Sequence, residues 1–206
     1  TRRSSDLHSV HPQVTGLEPA TEYFYRFRVD GKVSPVGRFK TLPAPDAKVD
    51  NFTFTVASCQ AWYHGYFTPW KHIAQEPDLD MTIFVGDYIY EYEQGGYATE
   101  RSVELGRALA ADNQAEMVSL SDYRKRYALY RSDKDLQQAH ASHSFICVWD
   151  DHEITNDAWT DGAENHQPNE GDYQERKLNA LQAYYEWMPI RPLVSGKQRT
   201  GQQQSL

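Results

Sequence analysis

The sequence predicts an α/β domain built on parallel strands and preceded by the last strands of a β-sandwich. Three observations carry this. Residues 81–85 (MTIFV) and 145–149 (FICVW) are short, continuously apolar runs of the kind found in strands buried within a parallel sheet. Helix-forming stretches lie between and after them. Near the start, residues 23–29 (YFYRFRV) and 33–41 alternate about Asp30-Gly31, the pattern of a hairpin with a tight turn.

Taken in chain order, Leu17-Glu18-Pro19-Ala20-Thr21-Glu22-Tyr23 comes first. It resembles the L-x-P-x-T-x-Y corner of fibronectin type III and related sandwiches, where a Tyr hydroxyl bonds back to nearby backbone. A sandwich needs about seven strands, so residues 1–45 are expected to be the C-terminal strands of a truncated N-terminal domain. Leu42-Pro43-Ala44-Pro45-Asp46-Ala47 reads as a linker. Residues 50–206 then form the first part of a second domain. Within it, residues 52–58 (FTFTVAS) read as a strand, 67–75 as a helix and 81–85 as a second strand, which together make a βαβ unit. Ser121-Asp122 opens a helix through Tyr130, Asp133 opens another through His140, and a third runs over 173–187 until Pro189 stops it. Residues 95–113 read as a long loop with some helical character.

Composition narrows the function. The 206 residues carry a net charge of -8, which argues against binding nucleic acid by counterion release. An acidic protein that handles anions needs metal ions or a local arginine cluster to reverse the field. Two cysteines, Cys59 and Cys147, are too few for a disulfide scaffold. No apolar run approaches the roughly 18 to 20 residues of a membrane span, and residues 1–20 lack the apolar centre of a signal peptide.

Each strand of the second domain runs into a metal-competent residue: Cys59 after the first, Asp87 after the second, and Asp150-Asp151-His152-Glu153 after the third. In open α/β sheets ligands bind at the carboxyl ends of strands, so three such endings suggest one shared site. Four ionisable side chains in a row directly after an apolar strand are costly to bury unless something pairs with them. Asp87 and Tyr90, three residues apart, can turn toward one ion. A phenolate, a carboxylate and a thiolate together suit a trivalent ion such as Fe3+ better than Mg2+. The competing view makes Cys59 a small buried residue, Gly86-Asp87 a turn, and Tyr88, Tyr90 and Tyr92 an aromatic loop. His64 follows Cys59 closely and is left open. His8, His11, His72, His140, His143 and His166 read as structural. Arg124, Lys125, Arg126 and Arg131 read as a solvated, salt-bridged helix face, and Tyr123, Tyr127 and Tyr130 as a core-facing stripe.

Gly86-Asp87-x-x-Tyr90 is similar to the motif of the purple acid phosphatases. The longer strings resemble the PhoD-like alkaline phosphatases and phosphodiesterases: Ala57-Ser58-Cys59-Gln60, Gly86-Asp87-Tyr88-Ile89-Tyr90-Glu91-Tyr92, Asp122-Tyr123-Arg124-Lys125-Arg126-Tyr127 with Leu129-Tyr130-Arg131-Ser132-Asp133, and Trp149-Asp150-Asp151-His152-Glu153. They occur in that family's order over residues 50–193. The resemblance implies a metallophosphoesterase-like α/β sandwich. It implies that Cys59, Asp87 and Tyr90 bind ferric iron, with Asp87 bridging to calcium, Asp151 as a further ligand and Asn156 as another. His152 is implied to contact the phosphate or protonate the leaving oxygen, with Asp150, Glu153 and His64 outside the ligands or toward substrate. Asp157 departs from the family, which often has a second Asn there.

The implied reaction is hydrolysis of small-molecule or lipid phosphate esters by metal-activated hydroxide attacking phosphorus, in a periplasm or outside the cell. A phospholipase-D-like phosphodiesterase and a non-catalytic calcium-binding extracellular module are the alternatives. A cysteine-nucleophile phosphatase is set aside, because Gly65 stands where such enzymes carry the phosphate-binding Arg. Ligands from a second half of the domain are expected, since metallophosphoesterases usually draw some from there.

Overall fold

The computed structural model describes residues 9–190. The opening Thr1-Arg2-Arg3-Ser4-Ser5, His8 and the Gln-rich stretch to Leu206 lie outside the described residues.

The N-terminal segment is a hairpin in two pieces. Strand β1 (Glu22–Tyr25) pairs antiparallel with β4 (Gly37–Lys40), and β2 (Arg28–Val29) pairs with β3 (Lys32–Val33) around the Asp30-Gly31 turn. The sequence predicts one continuous ladder. Pro35 lacks an N–H to donate, so the ladder breaks, and Ser34 Oγ accepts from the Phe27 N–H at 2.9 Å instead. The Tyr23 hydroxyl accepts from the Glu18 N–H at 2.8 Å, as a tyrosine corner does.

The second region is a three-stranded parallel sheet in the order β5 (Phe54–Ala57), β6 (Met81–Val85), β7 (Ser144–Val148). Helix α1 (Thr68–Gln75) connects the first two strands; α2 (Leu120–Tyr130) and α3 (Lys134–Ser142) connect the second pair. Helix α4 (Tyr173–Trp187) follows and packs on α2, while α1 packs on α3. The caps explain the boundaries. Ser119 and Asp122 form a capping box, so α2 starts slightly before the expected Ser121; Asp133 caps α3, and Asp172 caps α4. Residues 95–113 form successive turns with no regular helix.

One face of the sheet is covered. There Trp70 stacks on Phe84 at 5.9 Å and the His140 ring stacks on Phe145 at 3.8 Å. The other face carries Phe54, Val56, Val85, Ile146 and Val148, each between 41% and 56% exposed. The core is rich in tyrosine: Tyr63, Tyr88, Tyr123, Tyr127, Tyr130 and Tyr184 are all buried. Tyr123, Tyr127 and Tyr130 form the core-facing stripe expected of α2.

The neighbouring arginines correct the expectation of a solvated face. Arg126 is fully buried, with Nε donating to Asn113 Oδ1 at 3.0 Å and Nη1 to the Tyr92 carbonyl at 3.0 Å. Arg124 forms a two-pronged pair with Glu186 at 2.7 Å on each prong, and Arg131 donates to the Tyr88 hydroxyl at 3.1 Å. Lys125 alone keeps a surface pair, with Asp112 at 3.1 Å. Helical spacing shows which residues share a face, but the long loop packed on α2 decides which face is wet. The hairpin joins the α/β region through Arg38 Nε to the Ser142 carbonyl (3.0 Å) and the Lys40–Asp80 pair.

Two predictions follow from this packing. Gly86 has φ 97, and a Cβ there would lie 2.3 Å from the Asp150 Cβ and 2.7 Å from its backbone nitrogen. Gly86→Ala is expected to destabilise the fold by about 2 kcal/mol or more, from left-handed strain plus overpacking, measured by chemical denaturation. The second concerns His140. Arg131 can only donate, so the Tyr88 hydroxyl turns its proton to His140 Nε2 at 2.8 Å, which requires a neutral ring. Loss of hydration, then the Arg131 charge, hold His140 well below its ordinary 6.5. The unfolded chain therefore binds the extra proton, and stability should fall as pH drops below about 6.5, by up to about 1.4 kcal/mol per pH unit. His140→Gln should remove that part of the slope in acid denaturation.

Candidate active site

The parallel register sets the carboxyl ends of β5, β6 and β7 side by side. Pairing continues past the strands: the Cys59 N–H donates to the Gly86 carbonyl and the Gln60 N–H to the Asp87 carbonyl, both at 3.2 Å. Cys59 and Asp87 each have φ 56, the left-handed region that costs a side-chain-bearing residue of order 1–3 kcal/mol. With the chain turned this way, the Cys59 Sγ lies 3.3 Å from Asp87 Oδ2 and the Tyr90 hydroxyl lies 3.1 Å from the same oxygen. A thiol and a phenol thus converge on one carboxylate oxygen.

The other oxygen, Asp87 Oδ1, is buried without a hydrogen-bond partner. One carboxylate oxygen each from Asp87 and Asp151 and one ring nitrogen of His152 lie within 4.8 Å of one another. The donor set fits a cation. Loss of hydration, together with the Asp87 carboxylate, pushes both the Cys59 thiol and the Tyr90 phenol up. Both stay protonated beside bare carboxylate; a cation inverts that preference. Asp150 is exposed, and its carboxyl is raised by loss of hydration first and by Asp87 and Asp151 next.

The loops that carry these groups are tied by two buried carboxylates. Glu153 is 1% exposed and accepts from the N–H groups of Asp87 (3.2 Å), Tyr88 (2.6 Å) and Asp150 (2.8 Å). Burial pushes its carboxyl up to about 7 despite these donors. Glu91, fully buried, accepts from His152 Nδ1 at 2.8 Å, the Asn156 N–H at 2.7 Å and Asn165 Nδ2 at 2.8 Å. Burial opposes its charge, but His152 leads the donors that outweigh it and hold the carboxyl below the usual range. The His152 ring packs on Tyr90, with centroids 4.2 Å apart, and on Tyr92 at 5.5 Å.

Not every residue singled out in the sequence joins this cluster. Asn156 sends its side-chain amide to Glu164 Oε2 at 3.0 Å, and only its backbone reaches Glu91. His64 is exposed, with its ring edge-on to Tyr63 at 5.3 Å. Asp157, with φ 48, donates its N–H to Asp151 Oδ2, so it supports Asp151 through backbone alone. Sequence reasoning gives Glu91 no role of its own; its only signal is a carboxylate inside an aromatic run. Asn165 carries no local signal at all. A separate cleft of about 590 Å³ lies at the seam between the hairpin and the α/β region. Within its lining Arg38 pairs with Glu22 and Lys40 with Asp80.

Known proteins match this chain in sequence and in fold. Residues 54–204 match the family described as PhoD-like phosphatase, and residues 1–43 match the PhoD-like phosphatase N-terminal domain. The chain is 46% identical over 189 residues to alkaline phosphatase D of Bacillus subtilis (strain 168), a match covering 92% of this chain and 31% of that protein. The solved structure of PhoD superimposes with a TM-score of 0.75 at 44% identity, covering 85% of this chain and 32% of the other. The chain thus spans about a third of the length of the relatives it matches. With a family match over more than half its residues, this chain belongs to the PhoD-like phosphatase family.

Proposed function

We propose that this chain contributes to metal-dependent hydrolysis of phosphate esters, monoesters or diesters of small molecules or lipids, in a protein exported to the periplasm or cell exterior. The observation that carries this is the meeting of Cys59, Tyr90, Asp151 and His152 around Asp87, a carboxylate with one buried oxygen unpartnered. Family membership supports the reaction class. Cys59, Asp87 and Tyr90 would hold ferric iron, since thiolate and phenolate favour a trivalent ion. Asp87 and Asp151 would hold calcium, with Asn156 joining if its amide leaves Glu164. When bound, the ions supply Lewis acidity, which makes water acidic enough to attack near neutral pH and neutralises charge on the phosphate oxygens.

The chain's own groups supply the rest. His152 presents its ring to a phosphate oxygen or gives a proton to the leaving oxygen. Tyr90 and Tyr92 pack on that ring and limit its rotation. Glu153 keeps the loops after β6 and β7 in register.

The domain reading is part of the same proposal. Residues 1–45 are the closing strands of a fibronectin-III-like sandwich, supported by the Tyr23–Glu18 corner. Residues 50–206 belong to a larger metallophosphoesterase-like sandwich, supported by the uncovered apolar face of the sheet.

Metal analysis by mass spectrometry, read beside visible absorption and turnover of a chromogenic phosphomonoester and phosphodiester by the full-length protein, tests this. Iron with calcium in a coloured, hydrolytic protein is the expected outcome; calcium alone without hydrolysis returns the binding module. Tyr90→Phe should abolish the phenolate-to-iron band while circular dichroism stays unchanged. Cys59→Ser should lower iron content and turnover together, by more than the roughly 10- to 100-fold typical of groups that only hydrogen-bond to ligands.

A further inference from the structure

We propose that Glu91 is a positioning residue for His152, holding one imidazole proton on Nδ1 so that Nε2 is the nitrogen that faces the chemistry, bare in the neutral ring and the proton donor to the leaving oxygen when the ring is protonated. This rests on the hydrolase reading above. Glu91 has no exposed surface, so it acts only through what it touches.

Its two oxygens have separate partners. Oε1 takes the Asn156 N–H at 2.7 Å and Asn165 Nδ2 at 2.8 Å, while Oε2 takes His152 Nδ1 at 2.8 Å. With Oε1 surrounded by donors, the carboxylate cannot exchange its oxygens without breaking those bonds. An ionised carboxylate only accepts, so His152 must donate from Nδ1, and a neutral ring is left with Nε2 bare.

The backbone at Glu91 is held as firmly as its side chain. Arg126 donates to the Tyr90 and Tyr92 carbonyls on either side of it, and the Glu91 carbonyl accepts from the Met117 N–H at 3.1 Å. Asn165 is itself fixed: its carbonyl accepts from the Thr155 hydroxyl at 2.6 Å and from Arg176 Nη1 at 2.9 Å. Two buried arginines thus set the carboxylate that sets the histidine. Outer partners of this kind fix the tautomer and direction of a working imidazole.

The near-isosteric Glu91→Gln separates positioning from simple packing. Its amide oxygen stays with the two donors on Oε1, which places the NH2 group against His152 Nδ1. Nδ1 must then accept, and the proton moves to Nε2. Long-range proton–nitrogen correlation spectra of the metal-free full-length protein at alkaline pH should show the Nδ1–H tautomer of His152, and the Nε2–H tautomer in Glu91→Gln. In the metal-loaded protein, kcat on a chromogenic phosphoester should fall about 10- to 100-fold, with thermal midpoint and metal content unchanged. An Nε2–H tautomer in the unsubstituted protein overturns the proposal, whether or not the variant folds. So does a Glu91→Gln protein that keeps both the Nδ1–H tautomer and kcat. If no phosphoester is hydrolysed at all, the hydrolase reading fails, while the predicted tautomer switch still supports the link between Glu91 and His152.

Discussion

The site depends on one buried carboxylate holding two loops at once. Glu153 accepts from the backbone after β6 through Asp87 and Tyr88, and from the backbone after β7 through Asp150. Parallel strands have no hairpin to lock their ends together, since each connection leaves through a helix on the face. Hydrogen-bonding register aligns the strands but not the side chains beyond them. The Glu153 carboxylate supplies that second alignment, and Gly86 lets the loops approach to a distance no Cβ tolerates. Burial and the neighbouring Asp87 carboxylate raise Glu153 to about 7, and its ionised form adds to the demand for positive charge at the strand ends.

That demand is met within the chain only in part. His152, paired with Glu91, is a basic group that joins Asp87 and Asp151 in their cluster. The remaining imbalance is what a cation would answer. The same acidity that argues against nucleic-acid binding becomes a requirement for metal once the carboxylates are gathered at one edge.

Arginine does structural work here that sequence pattern assigns to solvent. Arg126 binds the carbonyls of the loop that follows Asp87, Arg176 joins Glu116, Glu170 and Asn165, and Arg107 lies over the Trp62 ring while paired with Asp133. Long irregular segments bring backbone carbonyls inside without a ladder to satisfy them. A guanidinium offers several donors in one plane and closes such segments onto the helices. Its full burial, at Arg126 and Arg176, follows from the number of acceptors it meets.

The sequence by itself determined the strands at 81–85 and near 145–149, the helix over 173–187, the tyrosine stripe of α2 and the alignment of Cys59, Asp87 and Asp150–His152 with strand ends. These are local matters: apolar runs, capping residues and the rule that parallel strands share a carboxyl edge. Tertiary structure alone decided that the hairpin breaks at Pro35, that Arg126 is buried, that Asn156 turns to Glu164, and that His64 stays outside the cluster. It also decided the place of Glu91, whose partners Asn165 and His152 lie more than sixty positions away. Chain spacing carries no record of such contacts, because which donors meet a buried carboxylate depends on how distant loops fold over it. The residue types were legible in the sequence; their pairing was set by packing.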